Sequence, residues 1–206
     1  MRTGVFGGSF DPPHVGHAIV AQYALERLEL ERVLFVPAAR PPHKRDRAQA
    51  PAALRLEMTR AAIADTTEFE VDSLELDRDG PSFTVDTIEA LTARRPADEL
   101  VLLLGADQFN EFHTWRRPGD IVRNARVAVL GRGEVDVDGP AVALPHEVVD
   151  VPRIDVSSTE IRERVADGKP IRYLVADSVR AIIEREHLYL ARDGEVPVAR
   201  GDEGSC

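Results

Sequence analysis

Apolar and polar positions along this chain switch between a period near two and a period near 3.6, and the switches mark its elements. Thr3 to Phe6 is a short apolar run, and from Val15 onward Ile19, Val20, Tyr23, Ala24 and Leu28 recur at helical spacing. Val33 to Val36 is a second apolar run, closed by Pro37. A strand, a helix and a strand in that order imply a parallel, right-handed crossover. Ala52 to Ala64 predicts a helix with Leu54, Met58 and Ile63 inward, and Phe69 to Leu76 alternates as a strand does. After turn chemistry at Asp79-Gly80-Pro81-Ser82, a helix opens at Phe83 with Thr84, Ile88 and Leu91 along one stripe, and it stops at Arg95-Pro96. Glu99 to Leu104 is the strongest strand signal. Ile121 to Arg126 predicts a helix, and Val127 to Leu130 and Glu147 to Val151 predict two further strands. Asp177 to Leu188 closes the pattern as an amphipathic helix through Val179, Ile182 and Ile183. The expected fold class is therefore α/β: a Rossmann-like parallel sheet flanked by helices, with a small C-terminal helical appendage from about residue 156. Residues 1–190 are expected to form one domain, and the polar stretch 191–206 to be disordered.

The junctions between these elements carry the chemistry. The first strand runs into Gly7-Gly8-Ser9-Phe10-Asp11-Pro12-Pro13-His14-Val15-Gly16-His17, where the first helix begins. Paired glycines let backbone N–H groups approach an anion, and a helix N-terminus adds unpaired donors and a positive dipole end. Two histidines there supply further donors that follow developing charge. Arg40-Pro41-Pro42-His43-Lys44-Arg45-Asp46-Arg47 is a proline-stiffened basic loop: either a solvated surface segment or a second phosphate contact. Gly105-Ala106-Asp107 places a glycine and a carboxylate at the carboxyl edge of the sheet, where open α/β folds bind ligands. Phe109, Phe112 and Trp115, spaced by three, read either as core packing or as a flat surface for an aromatic ring. Ser157-Ser158-Thr159-Glu160-Ile161-Arg162 fits a helix capping box, which by itself accounts for its hydroxyl residues.

Several classes are excluded or disfavoured. No G-x-x-x-x-G-K-[ST] is present, and the first turn is not G-x-G-x-x-G, so neither a P-loop NTPase nor a dehydrogenase fits. Glu134 to Gly139 opens like a calcium loop, but Pro145 stands where the closing glutamate belongs, so this stretch reads as a plain loop. His14 and His17 lack an adjacent third ligand, so no protein-held metal is expected. A formal charge of −10 argues against a nucleic-acid or anionic-membrane partner and requires any phosphate site to be locally basic. The chain has one cysteine, Cys206, which supports no disulfide framework and fits a reducing, cytoplasmic setting. Its longest apolar run, Leu100 to Ala106, is too short to span a bilayer, and no signal core precedes Gly7.

The stretch from Gly7 to His17 resembles the first signature of the nucleotidylyltransferase superfamily, with its H-x-G-H, and Ser157 to Arg162 resembles the second. Pro42-His43-Lys44, Ser82 to Thr87, Gly105-Ala106-Asp107, Phe112-His113-x-Trp115 and Tyr173-Leu174-Val175 resemble blocks of the bacterial nicotinate mononucleotide adenylyltransferases. The match spans roughly residues 3 to 190, with departures at Phe83, Arg132-Gly133 and Ala176. The resemblance implies transfer of AMP from ATP to nicotinate mononucleotide, yielding nicotinate adenine dinucleotide and pyrophosphate. It implies His14, His17 and Arg162 as the catalytic set. ATP would be bound by Gly7, Gly8, Ser9, Phe10, Gly105, Asp107, Ser158 and Thr159, with Mg²⁺ carried in on the nucleotide. His43, Lys44, Thr84 and Trp115 would serve the acceptor. A homo-oligomer is implied by family analogy alone. Phosphopantetheine adenylyltransferase, use of the amidated mononucleotide, and a non-catalytic nucleotide sensor remain the alternatives.

Overall fold

In the computed structural model, which describes residues 1–40, 50–131 and 139–191, the strand signals condense into one six-stranded sheet. Its strands are β1 (Arg2–Gly8), β2 (Arg32–Pro37), β3 (Phe69–Val71), β4 (Glu99–Gly105), β5 (Arg126–Gly131) and β6 (Glu147–Asp150). All pair in parallel, in the order β3-β2-β1-β4-β5-β6, a Rossmann-like α/β fold. The helices are α1 (Val15–Arg27), α2 (Ala52–Ala62), α3 (Thr84–Arg94), α4 (Ala106–Asn110), α5 (Pro118–Asn124), α6 (Ser158–Ala166) and α7 (Asp177–Arg185). Among the described residues, no helix is long and apolar enough to cross a membrane.

The central strands are continuous apolar runs because both faces of the sheet are covered. Leu34, Val36, Leu100, Leu102 and Leu104 point one way, against Val85, Ile88 and Leu91 of α3. Their neighbours Val33, Phe35, Val101 and Leu103 point the other way, into a cluster with Ala21 and Ala24 of α1. A third cluster joins Met58 of α2 to Ile161 of α6 and Val179, Ile182 and Ile183 of α7. The C-terminal helices thus dock on α2 rather than on the sheet.

The sheet also creates a crevice. The chain builds outward from β1 to β3, then returns to β4 and builds the other way, so β1 and β4 flank the switch point. β1 pairs with β2 as far as Gly8–Pro37, but its register with β4 ends at Val5–Leu102. Beyond Val5, the carboxyl end of β1 is open on the β4 side.

Three expectations from the pattern change. The strand expected over 69–76 ends at Val71, because the Asp72 carboxylate takes the Leu74 N–H and the Leu76 and Asp77 N–H groups turn back onto the Ser73 carbonyl. In α2, Arg55, Met58 and Thr59 form the buried face and Leu54 is only half-buried. In α3, Val85 and Thr87 join Ile88 and Leu91 inside, while Thr84 sits half-buried at the helix start. Residues 134–138 of the loop at 134–139, residues 192–206 and the basic residues His43 and Lys44 lie outside the described residues.

Candidate active site

The crevice holds a cavity of about 790 Å³. Gly7, Gly8 and Ser9 line one wall, Thr84 and Trp115 another, and Asp107 a third, so six of the expected site residues meet there. Gly105, the last residue of β4 and the cap of α4, stands between Leu104 and Asp107, both of which line the cavity. The aromatic triplet divides. Phe109 and Phe112 are fully buried, whereas Trp115 is half-buried, packs edge-on to Phe112 with ring centroids 5.2 Å apart, and lines the cavity. Phe109 and Phe112 are therefore core packing, and Trp115 alone of the three faces the cavity.

The histidines do not line this cavity; they stand at the start of α1, a few residues beyond Gly8 and Ser9, which do. His14 caps the helix in extended conformation and donates its backbone N–H to His17 Nδ1 at 3.1 Å. A ring nitrogen that accepts carries no proton, so neutral His17 has its proton on Nε2. The two imidazoles lie 3.7 Å apart between centroids, tilted by 33°. Burial lowers the His14 pKa from 6.5 to about 4, so the free protein holds this ring neutral at pH 7. Gly16, one of the two residues between them, is glycine for a steric reason. A Cβ on Gly16 would lie 3.0 Å from His14 Nδ1 and 3.3 Å from Ile154 Cγ2.

The second signature closes the same corner from the far end of the chain. Ser157 is the N-cap of α6, its hydroxyl accepting from Glu160 N–H at 3.1 Å, so the capping reading holds for Ser157. The next residues do something more. Ser158 donates its hydroxyl to the Pro12 carbonyl at 2.9 Å, and Arg162 donates Nη1 to the Asp11 carbonyl at 2.7 Å and Nη2 to Thr159 Oγ1 at 3.1 Å. The N-termini of α1 and α6 thereby converge on one turn, Asp11-Pro12. Two positive dipole ends and an arginine, with two imidazoles beside them, gather donors suited to an anion at one place in an acidic protein.

Beneath the turn lies a polar network that the sequence pattern concealed. Arg55 is 1% exposed, and its guanidinium donates to the carbonyls of Ser9 (2.7 Å), Ala39 (3.1 Å) and Ala50 (3.1 Å). Burial lowers its pKa, while the nearby Asp11 carboxylate, Tyr189 hydroxyl and Glu75 carboxylate act against the shift. Asp11 Oδ1 accepts from Ala50 N–H at 3.1 Å and from the Tyr189 hydroxyl at 2.7 Å. Burial first, then the Asp11 charge, pushes the Tyr189 hydroxyl pKa far up, so it stays a donor. Glu75 and Thr87 line the cavity and share a hydrogen bond of 2.5 Å. The stripe of residues 55, 58, 59 and 62 was the available signal for Arg55; nothing local marked Glu75, Thr87 or Tyr189. Among the described residues, no three His, Cys, Asp or Glu side chains converge as a metal nest.

With this geometry in place, comparison with known proteins is informative. Residues 5–164 match the cytidylyltransferase-like family, a span that takes in both His14 and Arg162. A Thermus thermophilus protein named "Probable nicotinate-nucleotide adenylyltransferase" is 44% identical over 189 residues, covering 92% of this chain and 100% of its own length. The chain belongs to the nicotinate-nucleotide adenylyltransferase family. A relative of the same name from Exiguobacterium sibiricum is 41% identical over 193 residues, or 92% of this chain and 99% of that one. The fold of the family extends further. A Plasmodium falciparum nicotinic acid mononucleotide adenylyltransferase complexed with NaAD superposes with a TM-score of 0.76 at 18% identity, covering 91% of this chain and 97% of that one.

Proposed function

We propose that this chain transfers AMP from ATP to nicotinate mononucleotide, releasing pyrophosphate and forming nicotinate adenine dinucleotide for NAD biosynthesis. The observation that carries the reading is the meeting of His14 and His17 on α1 with Ser158, Thr159 and Arg162 on α6 at the Asp11-Pro12 turn, next to a cavity lined by Thr84 and Trp115. Family membership supports it.

In this reading a phosphate oxygen of the mononucleotide attacks the α-phosphorus of ATP, and the bond from that phosphorus to the β-phosphate oxygen breaks. The electron pair leaves with pyrophosphate. The reaction needs in-line positioning and neutralisation of charge on the leaving group, and no nucleophilic side chain. The Gly8, Ser9 and Phe10 amides with His14 and the His17 Nε2–H hold the α- and β-phosphates. Ser158, Thr159 and Arg162 grip the β- and γ-phosphates. Gly7 lets the chain turn close to the nucleotide, and Gly105 and Asp107 meet the ribose hydroxyls. The pyridine ring stacks on Trp115, and backbone amides near Thr84 take its carboxylate. His43 and Lys44 contribute positive charge from the basic loop. Magnesium enters as part of the substrate, MgATP, which suits a site whose own residues are donors and cations. Because Ser158 and Arg162 complete the site, residues 1–190 act as one catalytic unit, at work in the cytoplasm that supplies ATP.

The test is pyrophosphate release from ATP with nicotinate mononucleotide, nicotinamide mononucleotide or phosphopantetheine as acceptor. The proposal expects the nicotinate compound to give the highest kcat/KM. Preference for either of the other acceptors would replace it, and no release with any acceptor would leave a nucleotide-binding sensor.

A further inference from the structure

Phe10 holds a backbone conformation that its side chain does not favour. Its φ is +45°, in the left-handed region, which a non-glycine residue occupies only if its surroundings impose it. Two guanidinium groups impose it here, one on each flank. Arg162 holds the Asp11 carbonyl on one side, and Arg55 holds the Ser9 carbonyl on the other, each at 2.7 Å. The Phe10 ring is locked as well, buried at 1% exposure against Phe6, Phe35 and His17.

The Arg55 contact fixes more than an oxygen. The Ser9–Phe10 peptide is trans, so its C=O and N–H point in opposite directions. A carbonyl drawn onto the buried guanidinium turns the Phe10 N–H away from it, and the two residues that precede Phe10, Gly8 and Ser9, line the cavity. A guanidinium is suited to this task because its planar fork engages several acceptors at once. Its other two bonds, to Ala39 and Ala50, anchor it to the end of β2 and the approach to α2. We propose that Arg55 is a positioning residue for the reaction: it locks the Ser9–Phe10 peptide so that the Phe10 N–H donates to the phosphate oxygens on which charge grows as pyrophosphate leaves.

The proposal rests on the adenylyl-transfer reading above, and two measurements test it. In protein labelled with [¹⁵N]phenylalanine, inorganic pyrophosphate should move the Phe10 amide downfield more than any of the other six phenylalanine amides, with Phe10→Leu assigning the peak. In Arg55→Lys the ammonium keeps the charge but no longer spans three carbonyls. Its kcat should fall by about 10²-fold, the cost of one misplaced oxyanion donor, with the KM for both substrates nearly unchanged and the pyrophosphate-induced shift lost. An unmoved Phe10 amide in the parent protein would overturn the proposal, whatever the fate of the variant. So would an Arg55→Lys protein that melts lower yet turns over normally per folded molecule. Pyrophosphate release by the parent protein, measured first, separates failure of the reaction assignment from failure of the Arg55 role.

Discussion

Gly16 lies directly against the imidazole of His14: a Cβ at residue 16 would stand 3.0 Å from Nδ1 and 3.1 Å from Cε1. Alanine in place of glycine inside a helix ordinarily adds about 1 kcal/mol of stability. Here the methyl group must displace the ring. Gly16→Ala is expected to lower kcat at least about tenfold while the melting temperature moves by only a few degrees, because a displaced catalytic group costs turnover rather than packing. Steady-state kinetics and a thermal melt on the same preparation check it; wild-type turnover would show that the ring tolerates the methyl group.

The bond from His14 N–H to His17 Nδ1 leaves the His17 proton on Nε2, the donor that the proposed reaction uses. His17→Ala should therefore reduce kcat by about 10²-fold or more, equivalent to ~2.7 kcal/mol of transition-state stabilisation. His17→Gln, which keeps a donor on a side chain of comparable length, should recover part of the loss. Equal, small effects from both would remove His17 from the reaction.

Because burial holds the His14 pKa near 4 in the folded protein, against 6.5 when it is free, the unfolded chain takes up this proton first as the pH falls. The stability conferred by a neutral His14 is complete above pH 6.5 and is lost progressively down to about pH 4, amounting to roughly 3 kcal/mol. His14→Asn should flatten the fall in melting temperature between those limits. Parallel curves for the two proteins would show that His14 does not titrate as its burial requires.

Trp115 lines the cavity while its neighbours Phe109 and Phe112 are fully buried, which separates a cavity-facing ring from core rings. Trp115→Ala should raise the KM for nicotinate mononucleotide about tenfold or more, the loss of roughly 1.5 kcal/mol of stacking, and leave the KM for ATP within about twofold. Equal changes in both constants together with a large drop in melting temperature would return Trp115 to the core.

How much of this was legible depended on the distance over which each signal acts. The order of elements followed from apolar periodicity, and the glycine turn and both signatures stood in plain view. The strand that alternation predicts over 69–76 stops at Val71 because a carboxylate at Asp72 captures a backbone N–H, a local competition that alternation does not register. Arg55 was passed over because a charged residue beside Leu54 and Met58 reads as solvent-facing. Its burial depends on three carbonyl oxygens contributed by Ser9, Ala39 and Ala50, and every residue type carries a carbonyl.

The sequence by itself determined the alternation that selects a parallel sheet, the glycine turn that leads from the first strand into the first helix, and the cap at Ser157. Those are properties of neighbouring residues: side-chain period, glycine's backbone freedom, a hydroxyl three residues before an N–H. Only the tertiary structure decided that Ser158 reaches the Pro12 carbonyl across 146 residues. It alone decided that β1 parts from β4 after Val5, and that one buried guanidinium supports the phosphate turn from below. These depend on how the helices pack against the sheet and on which backbone carbonyls that packing leaves to be satisfied, and no local pattern encodes either.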